Sequence, residues 1–240
     1  GMGFGTALAP TLFVLGYDPL QIVPILLVSE MATGLVAGGV HHVFSNVEFA
    51  VDPVNEATKL VVLFAGVGSL ATVGSIVLVY AALSLPEAAI RIYVAVLVIA
   101  MGAIGVARAH LRTPLGYRPR LLIGFALAAG ANKGIGGGGY GPVVTLGQIL
   151  SGVYEKSATA ITTLSEGIVS AVGVATFFAL SIQGLAIDPL LLPSIYTGGF
   201  LAAIAAPYLV RVVPNAVWRY AIPGYAVCIG LAALVGGVSL

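Results

Sequence analysis

The sequence predicts an all-α polytopic membrane protein, built as two inverted-topology repeats with broken, glycine-rich helices. Three observations carry that prediction. Of the 240 residues, 59% are hydrophobic and only 8% are charged, and the mean hydropathy is +1.09, whereas a soluble globular chain carries about a quarter charged residues. The 32 glycines and 13 prolines sit inside apolar segments rather than in polar linkers, as they do in close-packed and interrupted membrane helices. The two halves of the chain also share a spaced set of glycines and a Ser-Glu pair.

Composition excludes several classes. Ten Lys and Arg against nine Asp and Glu give a formal charge of +1, too little basic excess for a nucleic-acid footprint, so no nucleic-acid partner is expected. The single cysteine, Cys228, rules out an intrachain disulfide and any cysteine-based metal or redox motif. Its simplest reading is a packed small hydrophobe. No cofactor is called for.

Apolar runs of about 20 residues, the length that crosses a bilayer, are read at 21–44, 60–83, 92–107, 157–182, 190–210 and 217–238. The stretches 1–16 and 121–152 are apolar but interrupted by glycine clusters and by Pro10 and Pro142, and are expected to be discontinuous helices. No basic n-region or small-residue cleavage site opens the chain, so no cleavable leader is expected. The densest basic cluster, Arg108, His110, Arg112, Arg118 and Arg120, is placed in the cytoplasm by the positive-inside rule. Counting spans outward then puts Lys59, Lys156, Arg211 and Arg219 on the same side, with Arg91, Asp18, Glu87 and Asp188 outside. Multi-pass insertion in the cell (inner) membrane follows as the expected location.

At an offset of 136 residues, Gly3 pairs with Gly139, Gly5 with Gly141, Gly16 with Gly152, Ile25 with Ile161, and Ser29-Glu30 with Ser165-Glu166. Pro10 and Pro142 pair at 132 instead, a difference of about one helical turn, which an insertion after Pro142 would reconcile. Each half reads as a Gly-rich break, a short helix and three spans, so the second half enters from the opposite face, as in many secondary transporters. The expected organisation is a first repeat at 1–107, a basic cytoplasmic linker at 108–120 and a second, inverted repeat at 121–240. The first repeat lacks a counterpart of 121–131: either a further helix precedes residue 1 in the native chain or the halves are unequal.

Three formally charged side chains are placed at membrane depth: Glu30, Glu166 and Lys133. An ionisable group there is costly and normally faces a cavity or a partner. The paired glutamates are read as carriers of a coupling proton; the competing reading is that each merely locks helix packing. The stretch from Ala131 through Asn132 and Lys133 to Gly136, Gly137, Gly138 and Gly139, ahead of Pro142, is read as an anion site. Freed backbone amides, the positive end of a short helix, one ammonium and one amide donor would converge there. Glycine-mediated packing is the alternative. Gly3 and Gly5 offer an equivalent, uncharged set of amides, and Ser29 and Ser165 flank the acids.

Two soluble motifs match by accident. Gly134, Gly136 and Gly139 satisfy a dinucleotide fingerprint without the strand–turn–helix unit it needs, and Lys133 precedes the glycines where a phosphate loop has it after them. His41 and His42 lie where the first long span leaves the membrane and are read as interfacial rather than as metal ligands. No Ser/His/Asp order or nucleophile elbow is present, so an enzyme is not expected.

With these residues in hand, the chain resembles the TauE/SafE family of sulfite exporters over essentially its whole length. The similarity rests on Gly1 through Gly5 with Pro10 and Gly16, on Gly136 through Gly139 with Pro142 and Gly152, and on the ending that runs from Gly198-Gly199 through Ala206-Pro207-Tyr208 to Pro214 and Arg219. Glu30 and Glu166 stand where the family pattern has small hydroxyl residues. The resemblance implies export of a small sulfur-containing anion, sulfite or an organosulfonate such as sulfoacetate. Alternating access with proton coupling through Glu30 or Glu166 is the expected mechanism. A passive anion channel or uniporter, a membrane-embedded enzyme and a structural subunit are the rivals. The small-residue patterns suit packing within one chain or between two, which leaves a homodimer open.

Overall fold

The structure, a computed structural model, describes residues 4–110 and 118–238. These residues form α1 (Phe4–Val14), α2 (Pro19–Val43), α3 (Glu56–Ile76), α4 (Glu87–His110), α5 (Pro119–Gly136), α6 (Tyr140–Leu150), α7 (Glu155–Ile182), α8 (Leu192–Val212) and α9 (Asn215–Val238). No strand occurs among the described residues. Among the described residues, five helices are long and apolar enough to cross a membrane: Pro19–Val43, Glu56–Ala82, Glu87–Ala107, Glu155–Ile182 and Leu192–Val212. The second of them includes a π-helical turn, Val77–Ala82, that extends α3. The chain is thus an all-α, multi-pass membrane protein. Of the basic linker, residues 111–117, Arg112 among them, and the side chains of Arg108 and His110 lie outside the described residues, as does the side chain of Arg219.

Local chemistry sets the helix ends. Pro19 opens α2 with a pre-set φ and no N–H to waste, while the Asp18 backbone N–H donates to Gln21 Oε1 at 3.0 Å. Asn55 accepts from the Thr58 N–H at 2.9 Å and so caps α3. Pro119 opens α5 in the same way as Pro19.

Helices α1, α2 and α3 begin at residues 4, 19 and 56, and α6, α7 and α8 begin at 140, 155 and 192, each 136 residues later. Over the described residues, α1 and α6 each span 11 residues. The two prolines simply occupy different turns. Pro142 lies in the first turn of α6, where a backbone N–H would have no helical partner anyway. Pro10 lies in the middle of α1 and removes one internal hydrogen bond. The helix nevertheless runs through it unbroken, so the discontinuity expected within 1–16 is absent from Phe4–Val14.

Packing joins α2 to α7 and α8, α3 to α5 and α7, and α4 to α9. Glycines allow the α3–α5 contact: a Cβ on Gly130 would overlap the Gly68 carbonyl oxygen, and one on Gly134 would overlap Ser75 Oγ. Small residues of this kind let membrane helices approach backbone to backbone. Two apolar clusters result. One gathers Ala9, Leu12, Phe13, Ile22 and Leu26 around α1, and the other gathers Phe64, Leu122, Tyr140, Val144 and Ile161 around α6. Cys228, expected to be packed, is exposed on α9.

Candidate functional site

The break between α5 and α6 is three residues long, Gly137 to Gly139. Gly137 and Gly139 adopt φ of +72° and +81°, a region costly for residues with a Cβ. Gly137 closes α5 by donating its N–H to the Lys133 carbonyl at 2.9 Å. The start of α1 lies against this break: a Cβ on Gly138 would sit 2.6 Å from the Gly5 carbonyl oxygen, and one on Gly5 would sit 2.9 Å from the Gly137 carbonyl oxygen. The two half-helices α1 and α6 therefore meet at their N-termini.

Lys133 occupies the last turn of α5, where a cation complements the negative end of the helix dipole. It is fully buried, and Glu30 of α2 and Glu166 of α7 are 4% and 6% exposed. Its ammonium pairs with both acids, with Glu166 Oε1 at 2.8 Å and with Glu30 Oε2. The Gly5 N–H, in the first turn of α1, donates to the other Glu30 oxygen at 2.9 Å. The anion received by a helix N-terminus and a lysine is thus the carboxylate of Glu30 itself. A buried ion pair holds only where its remaining valences are met, and here three helices and a half-helix meet them.

The other expected site residues are brought to the same region but are already engaged. Asn132 Oδ1 accepts a hydrogen bond from the Tyr93 hydroxyl. The Gly139 N–H donates to Thr6 Oγ1 at 2.9 Å, and Gly136 packs on Val94. Ser29 Oγ donates to the Ile195 carbonyl at 3.3 Å, and Ser165 Oγ donates to that of Thr162 at 3.0 Å. Gly3 lies outside the described residues. Sequence reasoning missed Tyr93 and Thr6. A tyrosine inside an apolar span is the signal that could have found Tyr93, because its hydroxyl must find a partner when buried. His41, in the last turn of α2, is 2% exposed, with Nδ1 2.9 Å from Asn46 Nδ2, while exposed His42 accepts from the Phe49 N–H.

A cavity of about 530 Å³ opens at the far end of the bundle, lined by Asp18, Gln21, Tyr80, Glu87 and Asp188 among others. Tyr80 stands between this cavity and the break, its hydroxyl donating to the Ile135 carbonyl at 2.6 Å. That bond also satisfies a carbonyl of the last turn of α5, which has no helical partner.

A multi-pass helical bundle with a fixed charge cluster at a helix break has the architecture of a membrane transporter. The family model for the sulfite exporter TauE/SafE matches residues 1–233, and the chain belongs to that family. No curated protein and no solved structure matches it.

Proposed function

We propose that this protein is a secondary transporter that exports a small sulfur-containing oxyanion, sulfite or an organosulfonate such as sulfoacetate, across the cell membrane by proton-coupled alternating access. The observation that carries this reading is the sharing of one buried lysine between two carboxylates, Glu30 and Glu166, from two packed helices. An incoming anion reaches the Lys133 ammonium only by displacing one of them. A displaced carboxylate left unpaired in the membrane interior is costly. Taking up a proton removes that cost, and the net charge of the site is then the same before and after a monovalent anion binds. Anion and proton therefore move together, and the sum of the anion gradient and the pH difference sets the direction. A sulfonate spreads its charge over three oxygens, which suits an ammonium and backbone N–H donors.

The packing supports a two-repeat reading. The pairs α2–α7 and α4–α9 join corresponding helices, and α3 packs on α7 as α8 packs on α2, the pattern expected of repeats at 1–107 and 121–240 related by a pseudo-two-fold axis in the membrane plane. Rocking one repeat against the other would open the break to each face in turn.

The test is reconstitution in liposomes with an imposed pH step, following sulfite and sulfoacetate. Saturable accumulation against the anion gradient, abolished by Lys133→Ala and uncoupled from pH by Glu30→Gln or Glu166→Gln, is the expected result. Downhill flux alone would identify a channel or uniporter. Accumulation unchanged in both glutamine variants would refute the coupling.

A further inference from the structure

Between the buried triad and the Gly152 turn, α6 and α7 carry buried polar side chains, whereas α1 and α2 carry none between residues 7 and 27. Thr145, Gln148 and Ser151, on α6 and its C-cap, and Thr162, Thr163 and Ser165 of α7 are all buried. The residues 136 positions earlier are Ala9, Leu12, Leu15, Leu26, Leu27 and Ser29. Among the described residues from 7 to 27, no polar side chain is buried. Helices α1 and α6 end 136 residues apart, at Val14 and Leu150, so the two stretches are compared position by position.

Gln148, Thr145, Thr162, Ser165 and Tyr140 form a hydrogen-bonded file, with Ser151 about one helical turn beyond Gln148. Gln148 Nε2 donates to Thr162 Oγ1 at 2.7 Å and to the Ala158 carbonyl at 3.2 Å. Thr145 Oγ1 and Thr162 Oγ1 lie 3.0 Å apart. Ser165 Oγ donates to the Thr162 carbonyl, and the Tyr140 hydroxyl lies 3.5 Å from Ser165 Oγ. Glu166 follows Ser165 in α7, and its carboxylate bonds the Lys133 ammonium at 2.8 Å. Two atoms along the file, Gln148 Oε1 and Ser151 Oγ, are buried and have no protein partner. A buried polar atom without a partner costs on the order of 1–3 kcal/mol, and ordered water is the usual remedy. Gln148 Oε1 is an acceptor only. An oxyanion without a proton has nothing to give it, whereas water or a hydrated proton does. Among the described residues, no charged side chain lies along the file itself. The titratable groups nearest its ends are Tyr140 and the Lys133, Glu30 and Glu166 triad on one side and, in the first turn of α7, Glu155 and Lys156 on the other.

We infer that α6 and α7 enclose a water-filled proton path that joins the Gly152 face of the protein to Glu166, and that the matching path along α1 and α2 is dry. Its ligand is water and the proton it carries. The use made of that proton rests on the proton-coupled reading above; the path itself does not.

Hydroxyl-radical footprinting of the full chain in lipid nanodiscs tests it, because radicals generated from bound water modify the side chains beside that water. Tyr140 and Ile161 are 0% and 2% exposed, and Phe13 and Leu26 are 4% and 0% exposed, so burial is matched across the two paths. After correction for intrinsic reactivity, Tyr140 and Ile161 should be modified several-fold faster than Phe13 and Leu26. Gln148→Leu, which installs the residue found at position 12, should abolish the difference. Equal, slow modification of all four residues in the unaltered protein would overturn the inference, and needs no variant to fold. Unchanged modification of Tyr140 in a folded Gln148→Leu protein would overturn it as well. Loss of anion flux would strike the transport reading and leave this readout intact.

Discussion

Gly34 of α2 and Gly167 of α7 meet backbone against backbone: a Cβ on Gly34 would lie 2.8 Å from Gly167 Cα, and one on Gly167 would lie 2.8 Å from the Leu35 nitrogen. Gly34 follows Glu30 by about one turn, and Gly167 follows Glu166 directly. The closest approach of the two helices therefore sets how near the two carboxylates come to Lys133. Backbone cannot yield as a flexible side chain does, so Gly34→Ala and Gly167→Ala should each destabilise the protein by about 1–3 kcal/mol. Thermal unfolding in detergent measures this. Gly39→Ala is the control on the same helix, because nothing lies within 4 Å of its Cβ position, and it should leave the midpoint unchanged or raise it. Equal effects at Gly34 and Gly39 would mean that the crossing is not a tight one.

Gly16 tests a different property. Its φ is +88° and a Cβ there would meet nothing within 4 Å, so only the backbone conformation resists substitution. Gly16→Ala should cost about 1–2 kcal/mol, the penalty of a left-handed conformation, and Gly16→Asn should cost less, because asparagine tolerates that region. Alanine and asparagine proving equally costly would show that something other than φ is at stake.

At the far end of the bundle, the Asp188 carboxyl is held below its ordinary pKa by the Leu190 N–H it accepts at 2.9 Å and by the Gln21 amide at 2.8 Å. A carboxyl depressed in the folded state contributes stability that is complete above the unfolded value, about 3.9, and is lost as the pH falls through the lower folded value. The tie between the α7–α8 loop and α2 should therefore persist through neutral pH and loosen only in strong acid. Carboxyl-carbon NMR of labelled aspartate should give Asp188 a midpoint below the free value, moved back towards it by Gln21→Ala. A midpoint at or above the free value would contradict the hydrogen bonds.

Much of this was legible in the sequence, and the remainder was hidden for a definite reason. Hydropathy located the five long apolar helices, and glycine spacing located the break between α5 and α6. What did not show was which groups face one another. A helix that is apolar on every side carries no stripe to say which side a buried residue takes. The residues that hold the Lys133 ammonium, Glu30, 103 residues away in sequence, and Glu166, 33 away, carry no local sign of that pairing. Two amides of the break are engaged in the same way, Gly137 in closing α5 and Gly139 with Thr6. Interhelical pairing of this kind leaves no local pattern, because each partner obeys only its own helix.

That pairing makes the order of three substitutions predictable from charge alone. Lys133→Met leaves Glu30 and Glu166 facing each other without their cation, and breaking a buried ion pair from one side costs about 3–5 kcal/mol. Glu30→Gln instead leaves a Lys133–Glu166 pair of zero net charge, and the glutamine oxygen can still accept from the Gly5 N–H that bonds Glu30 at 2.9 Å. Glu166→Gln likewise leaves the Lys133–Glu30 pair. Each glutamine variant should therefore unfold at a distinctly higher temperature than Lys133→Met. Adding both glutamine substitutions to Lys133→Met should recover most of the loss, since no charge then remains in the core. If either glutamine variant proved as unstable as the lysine variant, the two carboxylates would not be sharing one ammonium, and the displacement on which the transport cycle depends would lose its basis.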